Sequence, residues 1–115
     1  MDKAGRTALG DELYRALREF RTVAPLTERA PDITIDDAYH ISLHMLSRRV
    51  EQDGERVVGK KIGVTSKPVQ DMLGVFQPDF GFLTDAMEYP DGADIPVAGH
   101  LIQPRLAELA LDIIL

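Results

Sequence analysis

The sequence of 115 residues contains no cysteine. Its absence excludes a disulfide framework, a zinc–thiolate site and a cysteine nucleophile. The sequence also lacks any stretch approaching the ~18 consecutive apolar residues that cross a membrane, and its first residues lack the apolar run of a secretory signal. We therefore expect a cytoplasmic protein that does not associate with membranes.

Basic residues are in the minority. Lys and Arg number 13 against 19 Asp and Glu, and the formal net charge is −6. This balance argues against nucleic-acid binding, which needs clustered cations against phosphates, but it leaves room for a local basic site for an anionic substrate. The hydrophobic share of 44% and the charged share of 28% are typical of one globular domain.

The first half of the chain predicts two amphipathic helices. One extends from about Thr7 to Arg21, because its apolar residues recur at helical spacing. The other begins near Thr34, which has capping-box spacing to Asp37, and ends before Gly54. Together they predict an N-terminal helical region over residues 1–54.

The character of the sequence changes after Gly54. Residues 56–64 (RVVGKKIGV) predict a strand, and residues 68–73 predict a short helix capped by Ser66. A turn-rich segment follows over residues 77–81. Beyond it, short strands are predicted at Phe82–Thr84 and Met87–Tyr89, with apolar segments at Leu101–Ile102 and Leu109–Leu115.

Helices followed by mixed β structure favour the α+β class. Residues 55–115 are expected to be the beginning of a β-rich domain. The chain ends within the apolar run LALDIIL, and a natural domain seldom stops inside a core element. We therefore expect a truncated chain or an altered C-terminus.

The Lys60–Lys61 pair stands between Gly59 and Gly63 in the first predicted strand. Side chains alternate along a strand, so the two lysines must face opposite ways. Both could be solvated edge charges. Alternatively one enters a pocket, where partial burial lowers the pKa of an amine and suits it to proton transfer.

Asp79 lies between Pro78 and Phe80. It could be a turn aspartate that bonds its own backbone. The functional alternative is a carboxylate held by a Pro-Asp-Phe-Gly loop, able to orient a water molecule or to pair with a catalytic lysine.

Metal ligands are harder to find. Glu108 and Asp112 lie among apolar residues, and their carboxylates would suit Mg²⁺ or Mn²⁺, although either could be exposed at the edge of an element. His40 and His44 share a helix face, but the segment HISLH lacks the glutamate of the zinc motif. His100 has no evident partner.

Several segments together resemble the 2-hydroxypenta-2,4-dienoate (2-oxopent-4-enoate) hydratases, in the hydratase and decarboxylase branch of the fumarylacetoacetate hydrolase superfamily. They are GKKIGVTSKPVQDMLGVFQPDFGFLTDAM, LIQPR, and the N-terminal GDELYRALREF, VAPLT and IDDAYHISLHMLSRR. The resemblance covers nearly the whole chain up to Arg105 and marks it as similar to the N-terminal part of such an enzyme.

The resemblance implies a hydratase of aromatic-compound catabolism that converts 2-hydroxypenta-2,4-dienoate to 4-hydroxy-2-oxopentanoate. A divalent cation, Mg²⁺ or Mn²⁺, would act as the Lewis acid. By position, Lys61 matches the family's proton-transferring lysine, and Asp79 matches its active-site aspartate. Lys60 is the variable neighbour.

The chain departs from the family at the metal site. The family continues Pro-Arg with x-Glu-x-Glu, whereas here Pro104-Arg105 is followed by LAELAL. Glu108 matches the second glutamate only if one residue is deleted, and the first has no counterpart. Weak or absent metal binding is therefore expected of a truncated chain.

Two alternatives stay open beside the hydratase. One is a 4-oxalocrotonate-type decarboxylase of the same family, and the other is a non-catalytic interaction module. The resemblance further implies a homo-oligomer and a possible partner decarboxylase, with a small 2-oxo or 2-hydroxy dienoic acid as substrate.

Overall fold

A computed structural model of the chain describes residues 1–96, which form two compact units. One unit comprises residues 1–48 with 89–96, and the other comprises residues 49–88. Helices combined with a two-stranded sheet confirm the α+β class, while the predicted boundary between residues 54 and 55 stays a prediction. No helix of the described part is long and apolar enough to cross a membrane.

Helix α1 (Lys3–Arg18) begins four residues before the predicted start. The reason is the side chain of Asp2, which accepts a hydrogen bond of 2.8 Å from the N–H of Gly5 and caps the helix there. The helix ends where Phe20 adopts a left-handed φ of 52°. Helix α2 (Leu26–Arg29) was not predicted, because a single turn after Pro25 leaves no periodic pattern.

Helix α3 (Ile35–Asp53) confirms both predicted ends. The hydroxyl of Thr34 accepts from the N–H of Asp37 at 3.1 Å, and the carboxylate of Asp37 accepts from the N–H of Thr34 at 3.0 Å. These are the two bonds of a capping box. At the other end Gly54 has a left-handed φ of 68°, as expected of a helix stop.

The core of the first unit forms where α1 meets α3. Ala16 and Ile41 are buried, and Gly10 permits the close approach. A Cβ atom on Gly10 would lie 2.7 Å from the ring of His44 and 3.0 Å from the carbonyl oxygen of Ile41. Any larger residue at position 10 must therefore displace α3.

The second unit contains β1 (Val57–Gly63), α4 (Lys67–Leu73), β2 (Asp79–Thr84) and a 3₁₀ turn over Asp85–Met87. The two strands pair antiparallel. Strand β1 and helix α4 confirm the prediction to within one residue at each end, and the hydroxyl of Ser66 accepts from the N–H of Val69 at 3.4 Å, as a capping residue would.

Two sequence predictions in this unit are wrong. Strand β2 begins at Asp79, three residues before the predicted start, because pairing with β1 overrides the turn preference of Asp and Gly. Met87–Tyr89 is not a strand. The carboxylate of Asp85 accepts from the N–H of Arg56 at 3.0 Å, and the chain turns into the 3₁₀ turn at that residue.

Candidate active site

The pairing of β1 with β2 places Lys61 and Asp79 on one face of the sheet. Lys61 lies opposite Gly81, and Gly63 lies opposite Asp79. Residues that face each other across an antiparallel pair point the same way, as do residues two apart along one strand. Lys61 and Asp79 are therefore diagonal neighbours, within reach of a long side chain.

Lys60 occupies the other face. It lies opposite Phe82, and its ammonium group is 5.7 Å from the centre of that ring, within cation–π range. The prediction that adjacent lysines face opposite ways is confirmed, and the aromatic ring gives Lys60 a structural partner on its side of the sheet.

The face that carries Lys61 and Asp79 is otherwise built from glycine. Gly63 and Gly81 complete the two rungs, and a Cβ atom built on either would meet nothing within 4 Å. The strand backbone is therefore bare between the amine and the carboxylate. Such a surface lets a flat, small molecule approach the main chain closely.

Within residues 1–96, the side chains of Lys61 and Asp79 are both exposed. The hypothesis that one lysine is partly buried in a pocket is not tested by this part of the chain and stays a prediction. The hypothesis that Asp79 lies in a loop is wrong, since Asp79 is the first residue of β2. The catalytic roles of both residues stay predictions.

A buried polar cluster lies at the other end of the two-stranded sheet, where β1 begins and β2 ends. The carboxylate of Glu55, 7% exposed, accepts from Arg49 at 2.9 Å and from the hydroxyl of Thr84 at 2.5 Å, and Thr84 is fully buried. Sequence reasoning missed this cluster, because Glu55 and Thr84 are far apart in sequence and neither belongs to a recognisable motif. It ties β2 to the residues that follow α3.

Asp85 adds a second anchor beside this cluster. Its backbone N–H donates to the carbonyl oxygen of Arg56 at 2.9 Å. The hydrogen bond from the N–H of Arg56, helped by the Arg56 guanidinium, lowers the pKa of the Asp85 carboxyl. The opposite ends of β1 and β2 are thus joined by hydrogen bonds of Glu55, Thr84 and Asp85, which form the base of the sheet. Lys61 and Asp79 lie toward the other end.

The two histidines on α3 have other partners than a metal. His40 Nδ1 lies 2.8 Å from the carbonyl oxygen of Asp36, and His44 Nε2 lies 2.8 Å from a carboxylate oxygen of Asp11. Asp11 also accepts from Arg48 at 2.7 Å. The hydrogen bonds from Arg48 and His44 lower the pKa of Asp11 to about 2, so this cluster locks α1 onto α3.

Residues 1–96 contain no group of three or more His, Asp or Glu side chains that could hold a metal ion. The predicted metal ligand Glu108, together with Asp112 and His100, lies outside the described residues. The metal site that the resemblance implies therefore stays a prediction.

The chain is similar to several curated hydratases. It is 66% identical over 105 residues to a 2-hydroxyhexa-2,4-dienoate hydratase of Comamonas testosteroni, a match that covers 90% of this chain and 39% of the relative. It is 63% identical over 105 residues to a 2-hydroxypent-2,4-dienoate hydratase of Pseudomonas putida, covering 91% and 47%. The chain thus spans less than half the length of these relatives. No protein-family model matches it.

Solved structures agree with this relationship. A 4-oxalocrotonate decarboxylase from Pseudomonas putida G7 superimposes with a TM-score of 0.72 at 32% identity, over 80% of this chain and 35% of the other. That enzyme was solved in complex with magnesium and adipate, and also with calcium and acetate. The likeness therefore extends from sequence to fold.

Proposed function

We propose that the chain forms part of a hydro-lyase of aromatic-compound catabolism, because it is similar in sequence to the 2-hydroxypenta-2,4-dienoate hydratases. The substrate is 2-hydroxypenta-2,4-dienoate and the product is 4-hydroxy-2-oxopentanoate. The proposal depends on one observation: Lys61 and Asp79 lie at diagonal positions on one glycine-lined face of the two-stranded sheet. Identities of 63% and 66% to two dienoate hydratases support the choice of reaction.

The chemistry assigned to the two side chains is proton transfer and orientation. The 2-hydroxyl group of the dienoate loses its proton and C5 gains one, which gives a conjugated 2-oxo-3-enoate. Water then adds its hydroxyl at C4 and a proton at C3. The amine of Lys61 moves a proton in these steps, while the carboxylate of Asp79 orients the amine or the water.

The exposed face suits this substrate in shape and charge. A dienoate is flat, so it can lie against the bare backbone at Gly63 and Gly81. Its carboxylate is attracted by the ammonium group of Lys61, which supplies positive charge on this face.

A divalent cation, Mg²⁺ or Mn²⁺, remains part of the proposal for the complete site. The related decarboxylase was solved with magnesium and with calcium, and Glu108 is the ligand that the resemblance indicates. Because residues 1–96 offer no ligand cluster, none of the steps above is assigned to a metal. A homo-oligomer and association with a partner decarboxylase likewise remain proposals.

Decarboxylation of 4-oxalocrotonate is the second candidate. The TM-score of 0.72 to a decarboxylase of that substrate favours it, and the lower identity of 32% weighs against it. Release of carbon dioxide from 4-oxalocrotonate, measured beside loss of the dienoate absorbance, separates the two reactions. We expect only the second signal.

The adjacent lysines provide a matched test of the proposed function. The folded chain is assayed spectrophotometrically with 2-hydroxypenta-2,4-dienoate and Mg²⁺ or Mn²⁺, as Lys61→Met and as Lys60→Met. We expect Lys61→Met to lower kcat by about 100-fold or more, the usual scale of acid–base catalysis. Lys60→Met should change kcat less than about threefold. Equal losses in the two variants would overturn the proposal, as would an intact dienoate when the chain is assayed with its C-terminus extended by the remaining part of a related hydratase.

A further inference from the structure

The residue that follows β1 has an unusual backbone conformation. Val64 has a left-handed φ of 55°. A β-branched side chain is a genuine outlier there, because its Cβ substituents crowd the backbone, whereas glycine would adopt the same conformation freely. Strain of this kind persists only where the surrounding structure imposes it, and it concentrates at functional sites.

The side chain of Gln70 provides that restraint. Its amide nitrogen donates a hydrogen bond of 3.0 Å to the carbonyl oxygen of Val64, in a partly buried position. Gln70 belongs to α4, and its own carbonyl oxygen accepts from the N–H of Val75 at 3.0 Å, across the left-handed Gly74 that ends the helix. One residue therefore bonds the segment on each side of α4.

The reversal at Val64 decides where the ladder between the strands ends. The last rung joins Gly63 to Asp79. On the other strand the ladder meets Pro78, which has no N–H to donate. If Val64 relaxed to an extended conformation, β1 could continue beyond Gly63. The Gly63–Asp79 rung would then no longer be held as the last rung of the ladder, and the position of Asp79 at its end would be less restrained.

We propose that Gln70 is a positioning residue, whose amide holds Val64 in its left-handed conformation and so fixes the Gly63–Asp79 rung that sets Asp79 diagonal to Lys61. The catalytic part of this inference rests on the proposed hydratase function. The structural part, the control of the rung by Gln70, does not. Gln70 acts through Val64 and is not assigned a contact with the substrate.

A double-mutant cycle with Val64→Gly tests this coupling on the whole chain. Glycine tolerates the left-handed conformation without help, so the loss of the Gln70 amide should matter in the valine background and hardly in the glycine background. The variants are Gln70→Ala, Val64→Gly and their combination, with Gln52→Ala at the exposed end of α3 as the matched control. The readouts are kcat, KM and amide hydrogen exchange at residues 61–63 and 79–81.

Gln70→Ala is expected to lower kcat about tenfold with KM within about twofold, and to speed exchange at these amides about tenfold, a factor that corresponds to the loss of one hydrogen bond. In the Val64→Gly background the same substitution should change either quantity less than about twofold, and Gln52→Ala should change neither.

Equal effects of Gln70→Ala in both backgrounds overturn the inference, as does unchanged exchange at the rung. If the chain proves inactive even when its C-terminus is extended by the remaining part of a related hydratase, the hydratase function fails, and the exchange measurement alone decides whether Gln70 holds the rung.

Discussion

The helical region (residues 1–48) and the region of the two-stranded sheet (residues 49–88) differ in where their charged side chains lie. In residues 1–48, charged groups on different helices are paired with one another: Arg6 with Asp37 at 2.8 Å, Asp11 with Arg48 at 2.7 Å, and Glu12 with Arg29 at 2.8 Å. On the two-stranded sheet, the side chains of Lys61 and Asp79 are exposed beside bare glycine backbone. The charges on the helices thus connect one element to another, whereas a charge that acts on a ligand must remain accessible.

Residues 49–88 themselves contain both buried and exposed polar side chains. The base of the sheet contains Glu55 and Thr84, which are buried and hydrogen-bonded to each other, whereas its face carries the candidate catalytic groups. A rigid base under an accessible face is how scaffolds hold reactive groups in place. The comparison therefore predicts large stability effects at the paired groups and small ones on the open face.

The largest stability effect is expected at Arg49. Arg49→Met would remove the guanidinium that pairs with the buried carboxylate of Glu55 at 2.8 Å. Removing one member of a buried ion pair costs about 3 kcal/mol, since the remaining charge stays desolvated. Urea denaturation at neutral pH measures the change in the free energy of unfolding.

Arg56→Met is the matched control for that prediction. Arg56 pairs with Asp85 in the same region, but its side chain is 80% exposed. Exposed ion pairs contribute at most about 1 kcal/mol. If the two arginine variants lose equal stability, the distinction between buried and exposed ion pairs in this region is wrong.

Sequence reasoning predicted the elements whose signals are local. The capping box of Thr34 and Asp37, the stop at Gly54 and the short helix after Ser66 all follow from side-chain chemistry within a few residues. The sharing of one face by Lys61 and Asp79 could not be predicted in this way, because it depends on the register between two strands that are separated by α4 in the sequence. The buried cluster at Glu55 depends on a similar non-local contact, the hydrogen bond from Thr84.

A smaller effect is expected from two glycine substitutions, one in each region. Gly10→Ala places a Cβ atom 2.7 Å from His44 and 3.0 Å from the Ile41 backbone. The overpacking outweighs the gain in helix propensity, for a net loss of about 1–2 kcal/mol. Gly81→Ala enters open space and should change the free energy of unfolding by less than about 0.5 kcal/mol.

The same pair of variants sharpens the comparison through substrate binding. The added methyl group at position 81 stands on the face between Lys61 and Asp79, so it should raise KM for the dienoate severalfold without loss of stability. Gly10→Ala should leave KM unchanged in the folded fraction. A Gly81→Ala variant that binds the substrate normally would show that the dienoate does not use this face.

The smallest effect concerns pH and the Asp11 carboxylate, whose pKa is lowered to about 2 from 3.8 by hydrogen bonds from Arg48 and His44. A lowered pKa in the folded state stabilises the fold above the unfolded-state value, and this contribution is lost as the pH falls through the folded value. Asp11 is 26% exposed, so solvent screening reduces the contribution to about 1 kcal/mol. Asp11→Asn should therefore be less stable than the parent chain at pH 6 by about that amount, and the difference should shrink between pH 4 and pH 2.

Asp71→Asn, in the exposed pair with Lys67 on α4, should differ from the parent by less than about 0.5 kcal/mol throughout. A difference for Asp11→Asn that persists unchanged at pH 2 would mean that the carboxylate acts through packing, and the pairing of charges would then not be what holds α1 on α3.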